Sequence, residues 1–381
     1  MNFTLSPEEA LIQSTAREFA DKELAPVSSR IDHDGAIPRD ILDKMAALGF
    51  LGMLTPDRYG GVGLTNLALA LVQLEINRAC ASTGVTMSVH NSLCQSPLLR
   101  FGSDPQKETY LPRLARGEWI GAYSLTEPVS GTDAAALITT AVKDGDDYVI
   151  TGTKNFVTNG GFADLFILFA RTDSSPTAKQ TGISAFIVER TRKGLTVGKP
   201  EKKMGIRGSS TTSLFFDGCR VPKANLLGRE GDGLKIALST LDGGRIGIAS
   251  QACGIAMACL DASIRYAKER RQFDRPIGDF QAIQWKISDM ATDIDAATLL
   301  IYRAARMRDA GEPHTKEASM AKLFASTMVN RHATQAVQIH GGVGYIKDFP
   351  VERYFRDAKI TEIYEGTSEV QRIVIARSML K

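Results

Sequence analysis

The spacing of apolar residues changes twice along this 381-residue chain, and this change restricts the possible folds more than any other feature. Up to about residue 120, apolar positions recur every three or four residues, as in amphipathic helices. From 121 to 232, short alternating runs separated by turn signals indicate β-strands. From 233 onward the helical spacing returns and persists over long segments. The sequence therefore predicts a multidomain α+β protein with domains at 1–120, 121–232 and 233–381.

Helix-start signals support a helical N-terminal domain. Ser6-Pro-Glu-Glu9 has the S-x-x-E form of a capping box, with proline at the first helical position. We expect this helix to end at Pro26, because proline lacks the N–H that would continue it. The stretch Tyr59-Gly-Gly-Val-Gly-Leu64 lacks the P-loop pattern, so we interpret it as a turn. We expect His90 to form hydrogen bonds within the core rather than contact a substrate.

The middle domain shows a hairpin signal and no helical patterns between its strands. Asp144-Gly-Asp-Asp147 interrupts an alternating run from 136 to 158, which predicts a β-hairpin. The lack of intervening helices disfavours a doubly wound nucleotide-binding fold, and we predict a β-barrel-like domain. Further strands are predicted at 165–170, 183–188, 195–197 and 213–216.

The C-terminal domain carries one apolar stripe that continues for several helical turns, from Ile283 to Ala304. This spacing is typical of a helical bundle, and we predict four helices. The stretch Ala249–Ala262 is rich in Ala, Gly and Cys, which permits close contact between helices. Either an intrachain core or a subunit interface would explain that composition.

The charge distribution argues against a nucleic-acid partner. The 46 Lys and Arg residues and 43 Asp and Glu residues are interleaved, and the net charge is only +3. No concentrated basic stripe is present to contact phosphates. We also predict no metal site, since the five cysteines are scattered and lack Cys-x-x-Cys spacing.

The same features bear on the compartment. Scattered cysteines, odd in number, indicate a reducing environment. The N-terminal residues resemble neither a signal peptide nor an Arg-rich transit peptide, and no uninterrupted apolar run is long enough to span a bilayer. We therefore expect a bacterial cytoplasmic protein or a processed protein of the mitochondrial matrix.

Glu365 is the strongest candidate for a catalytic side chain. Apolar residues and Tyr364 precede it, and Gly366 follows it, so the backbone can turn sharply there. Thr367 or Ser368 can then cap a final helix. A carboxylate in such a turn can point into a cleft, where burial raises its pKa and makes it a general base. On sequence position alone, a solvent-exposed loop residue is the favoured interpretation, because acids are rarely buried.

The segment Ile363-Tyr-Glu-Gly-Thr-Ser-Glu-Val-Gln-Arg372 resembles the signature of the acyl-CoA dehydrogenases. Further matches follow in the family's order along nearly the whole chain, and the similarity is greatest to the short-chain, butyryl-CoA branch. The resemblance implies that Glu365 removes the α-proton of an acyl-CoA thioester. It also implies the same domain order that the apolar spacing predicts.

The resemblance implies an FAD cofactor that is bound partly across a subunit boundary. Tyr123-Ser-Leu-Thr-Glu-Pro128 and Phe156-Val-Thr158 resemble the two flavin loops of the family. Lys268-Glu-Arg-Arg-Gln-Phe-Asp-Arg-Pro-Ile277 and Gln338-Ile-His-Gly-Gly342 resemble its FAD segments. The cofactor contacts implied are Tyr123, Leu125, Thr126, Phe156, Val157, Thr158, Arg270, Gln272, Phe273, Gln281, Gln338, Ile339, Gly341, Gly342, Thr367 and Glu369.

The substrate contacts implied by the resemblance are Thr132, Asp242, Arg245, Tyr364 and Gly366. Asp242 and Arg245 can equally form an internal ion pair, because residues three apart share a helix face. The loop departs from the family pattern at Val129 and Thr132, where Gly and Ser are usual. Because Val reaches positive φ only at a cost, the backbone at 129 is expected to differ.

The implied reaction is α,β-dehydrogenation, with a trans-enoyl-CoA as product and an electron-transferring flavoprotein as electron acceptor. The implied assembly is a homotetramer. An acyl-CoA oxidase and a catalytically silent flavoprotein of the same fold are the alternatives. The decarboxylating glutaryl-CoA branch is disfavoured, since no Arg or Lys lies between Ala79 and Leu99. Acyl chain length stays open.

Overall fold

The computed structural model describes residues 4–380, and the N-terminal part is helical as predicted. The capping box forms: Glu9 N donates to Ser6 Oγ at 3.2 Å, and Ser6 N donates to Glu9 Oε2 at 2.8 Å. The α-helices are α1 Pro7–Phe19, α2 Ser28–Asp34, α3 Arg39–Ala47, α4 Asn66–Ala79, α5 Ala81–Ser88, α6 Ser96–Phe101 and α7 Asp104–Ala115.

The end of the first helix differs from the prediction. α1 ends at Phe19, and a π-helical segment, Ala20–Leu24, and a 3-10 turn, Ala25–Val27, lead into α2. Pro26 therefore lies in the 3-10 turn, and the chain stays helical beyond it. The wider π turn shifts the hydrogen-bonding pattern before the proline, so the missing N–H of Pro26 does not end the helical segment.

His90 is fully buried in a second π-helical segment, Val89–Gln95, which joins α5 to α6. Gly121 N donates to its Nδ1 at 2.9 Å, and its Nε2 lies 3.0 Å from Leu114 O. Burial lowers the pKa of His90 to about 4, so the ring is neutral at physiological pH. Its predicted role within the core is confirmed.

The middle domain is one mixed sheet in the order β6-β7-β3-β2-β4-β5-β8, with β1 parallel to β4. The predicted hairpin forms, with Asp144 opposite Asp147 and Gly145 at φ 62°. The alternating pattern did not predict two short strands, the four-residue β1 and the two-residue β8. The strands are β1 Gly121–Ser124, β2 Thr140–Asp144, β3 Asp147–Thr158, β4 Leu165–Arg171, β5 Ile183–Glu189, β6 Leu195–Val197, β7 Thr211–Pro222 and β8 Leu226–Leu227.

Both faces of this sheet are buried, as alternate residues of β4 show. Phe166 and Leu168 point into a core that consists of middle-domain residues alone, so the sheet curves around its own side chains as expected for a barrel-like domain. Leu165 and Ile167 face the opposite core, which includes Leu98 and other residues of the N-terminal helices. The middle domain is thereby fixed against the helical part of the protein.

The C-terminal domain is built on three long helices that share one core. The predicted stripe of α9 is buried at Met290, Ile294, Ala297, Ile301 and Ala304. The helices are α8 Gly233–Glu269, α9 Gln281–Asp309, α10 Thr315–His340, α11 Val351–Lys359 and α12 Ser368–Met379. A short hairpin, β9 Arg271–Gln272 and β10 Arg275–Pro276, links α8 to α9.

Helix α8 lies at the centre of the molecule. The small residues of Ala249–Ala262 belong to the intrachain core, where a Cβ on Gly254 would lie 2.5 Å from Leu74 O of α4. This observation favours the core interpretation of that stretch. α8 also contains a window that is long and apolar enough for a membrane span, although no uninterrupted apolar run predicted one. Inside the fold, 83% of that window is buried. Such burial is typical of a core helix.

Candidate active site

Glu365 lies in the turn between a 3-10 segment, Ile360–Glu362, and α12. Its φ is 52° and that of Gly366 is 93°, so two consecutive residues are left-handed. Thr367 caps α12 as predicted, with Val370 N donating to its Oγ1 at 3.4 Å. A non-glycine residue in this conformation is strained, and such strain is concentrated at functional sites.

The turn directs the Glu365 carboxylate towards α8. The residue as a whole is partly exposed, but Oε2 is buried and forms no hydrogen bond with any residue from 4 to 380. A Cβ added to Gly244 would lie 2.0 Å from Oε2 and 2.9 Å from Leu93 Cδ2. The missing side chain at Gly244 therefore provides the space that the carboxylate occupies. The solvent-exposed interpretation of Glu365 is wrong for this oxygen.

The environment of Glu365 raises the pKa of its carboxyl group to about 7. Burial is the main cause, because it disfavours the charged form. The positive charges of Lys322 and Arg245 oppose this effect and limit the rise. A carboxyl group with a pKa near neutrality is suited to general base catalysis.

Lys322, on α10, is completely buried, and its Nζ donates to Gly366 O at 2.7 Å. Burial lowers its pKa to about 8. Gln371 Nε2 donates to the same carbonyl at 2.8 Å. Two donors from different helices therefore hold the peptide group that follows Glu365.

Asp242 and Arg245 form the ion pair that their spacing allows. Arg245 Nη1 donates to Asp242 Oδ1 at 2.7 Å and to Ser319 Oγ at 3.3 Å. Thr315 Oγ1 donates to Asp242 Oδ2 at 2.6 Å. Burial lowers the pKa of Arg245, and its Nε is buried with no partner in the described part of the chain. The pair thus lies beside Glu365 and leaves one donor of Arg245 unused.

Two tyrosines complete the surroundings of the acid. Tyr364 donates a short hydrogen bond from its hydroxyl to Gln251 Oε1. Tyr123, at the end of β1, donates to Ala237 O at 3.3 Å. Burial, followed by the charge of Glu365, raises the pKa of both hydroxyls well above the usual value. Both tyrosines therefore stay protonated and can act only as neutral donors.

The two predicted flavin loops lie next to each other on the middle domain. Asn155 N donates to Thr126 O at 2.8 Å. Lys154 Nζ donates to Glu127 Oε1 at 2.7 Å and to Leu125 O at 3.1 Å, and both charged side chains are completely buried. Burial alone would raise the pKa of Glu127, but Lys154 and two backbone N–H groups lower it overall. The buried pair is therefore ionised and joins the loops.

Phe156 occupies a bulge in β3, where pairing with β7 shifts between Lys154 and Val157. Its φ is 55°, and 65% of the residue is exposed, whereas Val157 is buried. The hydroxyls of Thr126 and Thr158 donate no hydrogen bond within residues 4–380. An exposed aromatic ring beside unused hydroxyls fits a planar, polar-edged group such as an isoalloxazine.

Most of the other predicted cofactor residues lie near the C-terminal end of α8, far from Glu365. Arg270, the residue that caps the C-terminus of α8, is 26 residues from Gly244, about 39 Å at 1.5 Å per residue. The ring stack of Tyr266 on His340, at 4.3 Å, places the end of α10 beside this end of α8. Phe273, at the hairpin tip, is 87% exposed. The exposed residues at this end are Arg270, Gln272, Phe273, Gln281, Gln338, Gly341 and Gly342.

The structure therefore does not bring all predicted cofactor residues to Glu365 within one chain. Ile339 is buried in the bundle core, so its side chain is unavailable at that surface. Glu369 is exposed in the first turn of α12, and Thr132 is exposed in the loop after β1. Val129 is exposed too, and its φ is not positive. The departure from glycine at 129 is thus accommodated without backbone strain.

Several residues at this site were missed from the sequence. Gly244, Gln251 and Lys322 touch the acid or its loop, and Glu127 and Lys154 join the flavin loops. Lys322 did carry a signal, because it lies among the buried alanines of α10 at helical spacing. A lysine on an apolar stripe requires a buried partner.

Comparisons with known proteins cover the whole chain. Residues 6–118 match the acyl-CoA dehydrogenase N-terminal domain, 122–219 the middle domain and 231–380 the C-terminal domain. The chain is 48% identical over 381 residues to the short-chain specific acyl-CoA dehydrogenase of Clostridium acetobutylicum, with 100% of both chains covered. It is 50% identical over 371 residues to the mitochondrial short-chain specific acyl-CoA dehydrogenase of Mus musculus, covering 97% of this chain and 90% of the relative.

Solved structures agree with these relatives. Butyryl-CoA dehydrogenase from Megasphaera elsdenii superposes with a TM-score of 0.98 at 44% identity, with both chains completely covered. A chain from a structure described as the electron transferring flavoprotein of Acidaminococcus fermentans gives a TM-score of 0.98 at 48% identity, again with complete coverage. The sequence, the fold and the position of the buried acid all match these relatives. The chain therefore belongs to the acyl-CoA dehydrogenase family.

Proposed function

We propose that this protein dehydrogenates a short-chain acyl-CoA at its α,β bond and passes the electrons to an electron-transferring flavoprotein. The observation that carries the proposal is the buried, unpaired Oε2 of Glu365. A bound flavin, which we propose is FAD, supplies the two-electron acceptor for the β-hydrogen. The chain supplies the base, the binding surfaces and the exclusion of water.

The proton transfer centres on Glu365. The α-C–H bond gives its proton to the carboxylate, and a bound flavin would take up the β-hydrogen with both electrons of its C–H bond. The remaining electron pair forms the double bond of a trans-2-enoyl-CoA. Because Oε2 has no hydrogen-bond partner, it is free to accept the proton. Its pKa near 7 leaves a substantial fraction ionised at neutral pH.

The turn also supplies a donor for the thioester oxygen. The backbone N–H of Glu365 donates no hydrogen bond within the described part of the chain. An N–H fixed in a water-poor site stabilises the negative charge that develops on the carbonyl when the α-proton leaves. We propose that Tyr364, Gly366, Thr132 and the Asp242–Arg245 pair line the remaining substrate path.

The flavin site is shared between subunits in this proposal. Thr126, Thr158 and Phe156 of one chain contact the ring, together with Tyr123, Leu125 and Val157. The exposed end of the bundle, with Arg270, Phe273 and Gln281, lies too far from Glu365 to reach the same cofactor. We propose that it completes the FAD site of a second copy, within a homotetramer. Gln272, Gln338, Ile339, Gly341, Gly342, Thr367 and Glu369 are the other proposed contacts.

The domain boundaries and the compartment are also proposals. We divide the chain at 1–120, 121–232 and 233–381, which places each long helix of the bundle in the last domain. We place the protein in a bacterial cytoplasm or, after processing, in the mitochondrial matrix.

Anaerobic titration of the purified holoenzyme with acyl-CoAs of graded length tests the function. Butyryl-CoA should bleach the flavin, and Glu365→Gln should keep the bound flavin but lose nearly all of the bleaching. Near-normal bleaching by Glu365→Gln would refute the role of the acid. Rapid reoxidation in air with peroxide formation would indicate an oxidase, and absence of bleaching by any chain length would indicate a silent flavoprotein.

A further inference from the structure

Lys322 is a buried cation in an apolar part of the bundle. It lies on the face of α10 that also buries Ala318, Ala321 and Ala325. Its ammonium group forms no ion pair with a carboxylate within residues 4–380, and its hydrogen bond goes to Gly366 O. Burying a charge is costly unless the charge is compensated. The position of this lysine therefore requires a compensating group nearby.

The hydrogen bond of Lys322 acts on the left-handed turn that carries Glu365. Gly366 O belongs to the peptide immediately after the acid, and Lys322 Nζ lies 2.7 Å from it. Gln371 reaches the same oxygen from α12. Fixing this carbonyl fixes the peptide plane, and with it the direction in which the strained Glu365 presents its carboxylate.

The charges around Glu365 come from several elements. Lys322 faces it from α10, Arg245 from α8, and the neutral hydroxyls of Tyr123 and Tyr364 from β1 and its own turn. Glu362 and Glu369 also act on Lys322, more weakly than Glu365. Arg245 is compensated by Asp242 at 2.7 Å. Lys322 is thus the cation near the acid whose charge no carboxylate contact neutralises.

We propose that Lys322 is a positioning residue for the dehydrogenation: it orients the Glu365 carboxylate through the Gly366 carbonyl, and its charge favours the ionised form of that carboxylate. The inference rests on the proposed function. Lys322 touches neither reacting carbon in this arrangement, so it acts through Glu365 alone.

The test is the pH profile of anaerobic flavin bleaching by butyryl-CoA in the holoenzyme. Lys322→Met removes the charge, so the acid limb should move upward by about one pH unit or more, with a loss of rate of about fivefold or more at pH 7. The bound flavin should be retained. Lys316→Met is the matched control, since Lys316 lies on the same helix, pairs with Glu317 and is partly exposed. Its profile should match the wild type.

Lys322→Arg provides a second test that keeps the charge. Arginine does not lose its proton in this range, so an alkaline limb that arises from Lys322 near pH 8 should disappear, while the acid limb stays in place. A variant in which both limbs equal those of the wild type contradicts the proposal. This variant tests the role of Lys322 even if the methionine variant does not fold.

Thermal unfolding supplies a readout that is independent of turnover. Lys322→Met removes the cation that stabilises the ionised form of Glu365. The melting temperature of this variant should therefore fall more steeply between pH 6 and 9 than that of the wild type. Adding Glu365→Gln should remove the part of this extra slope that arises from the acid and leave only the part that arises from the lost titration of Lys322 itself. If Glu365→Gln is inactive but Lys322→Met shows an unchanged profile and slope, the inference fails and the proposed function stands. If Glu365→Gln is active, the function itself fails.

Discussion

The Glu365 carboxylate rests directly against the backbone of Gly244, where a Cβ would lie 2.0 Å from Oε2. A helix interior is an unfavourable place for glycine, which costs about 0.5–1 kcal/mol relative to alanine. Here the absence of a side chain provides the space for the proposed base. The contact joins α8 to the turn before α12, so the position of the acid depends on the packing of the whole bundle.

Gly244→Ala should displace the carboxylate and slow flavin bleaching by at least about tenfold, since a misplacement of 1 Å can cost on the order of 100-fold. The alanine should otherwise be tolerated, because it favours the helix. Stopped-flow bleaching with butyryl-CoA measures the effect. Leu238→Ala, on an exposed position of the same helix, is the control and should keep the wild-type rate. Equal rates for both variants would show that the contact does not matter.

The rate of bleaching should depend on the ionisation of Glu365. With a pKa of about 7, the acid is protonated below neutrality, and the rate should fall about tenfold per pH unit on the acid side. A series of single-turnover rates between pH 5.5 and 9 provides the profile. An acid limb near pH 4.5, the ordinary value for Glu, would mean that burial does not act on this group.

The contribution of Glu365 to protein stability should fall as pH rises, whereas the bleaching rate should rise. The folded-state pKa of Glu365 is raised above the unfolded value, so its contribution is fully present below about pH 4.5 and is lost as pH rises through 7. The loss is on the order of 3 kcal/mol. Glu365→Gln should therefore unfold at a higher temperature than the wild type at pH 8 and differ less at pH 5. Calorimetry at the two pH values checks this sign.

The buried pair Glu127–Lys154 should stabilise the middle domain and retain the flavin. Lys154→Met leaves the carboxylate buried and unpaired, which should cost about 3–5 kcal/mol and release flavin. The double variant Glu127→Gln/Lys154→Met should recover much of the stability, because no unpaired charge remains. Asp43→Asn, which breaks the exposed pair with Arg39, should cost under about 1 kcal/mol. Flavin content and thermal unfolding provide the two readouts.

Phe156→Ala should weaken flavin binding without destabilising the apoprotein. The side chain is 65% exposed and its backbone is strained, so its removal forfeits little packing. Phe215→Ala, on an exposed position of β7, is the matched control and should affect neither property. Flavin dissociation constants by fluorescence titration separate the two variants. Equal affinities would remove Phe156 from the proposed flavin site.

Local signals in the sequence predicted the elements well. The capping box of α1, the hairpin at Gly145 and the stripe of α9 all depend on residues close together in the chain. The prediction failed where distant contacts intervene. The helical segment continues past Pro26 through a π turn, and β1 is a strand because it pairs with β4 more than 40 residues later.

The sequence by itself determined the family, the order of helical and β domains and the identity of the acid at 365. Only the tertiary structure decided what that acid can do. Its pKa and its free Oε2 depend on Gly244, Arg245 and Lys322, which approach it from α8 and α10. Burial and Coulomb interaction act through space, so residues far apart in the sequence set the chemistry of one carboxylate. The fold likewise separated the predicted cofactor residues into two groups, because α8 extends between them.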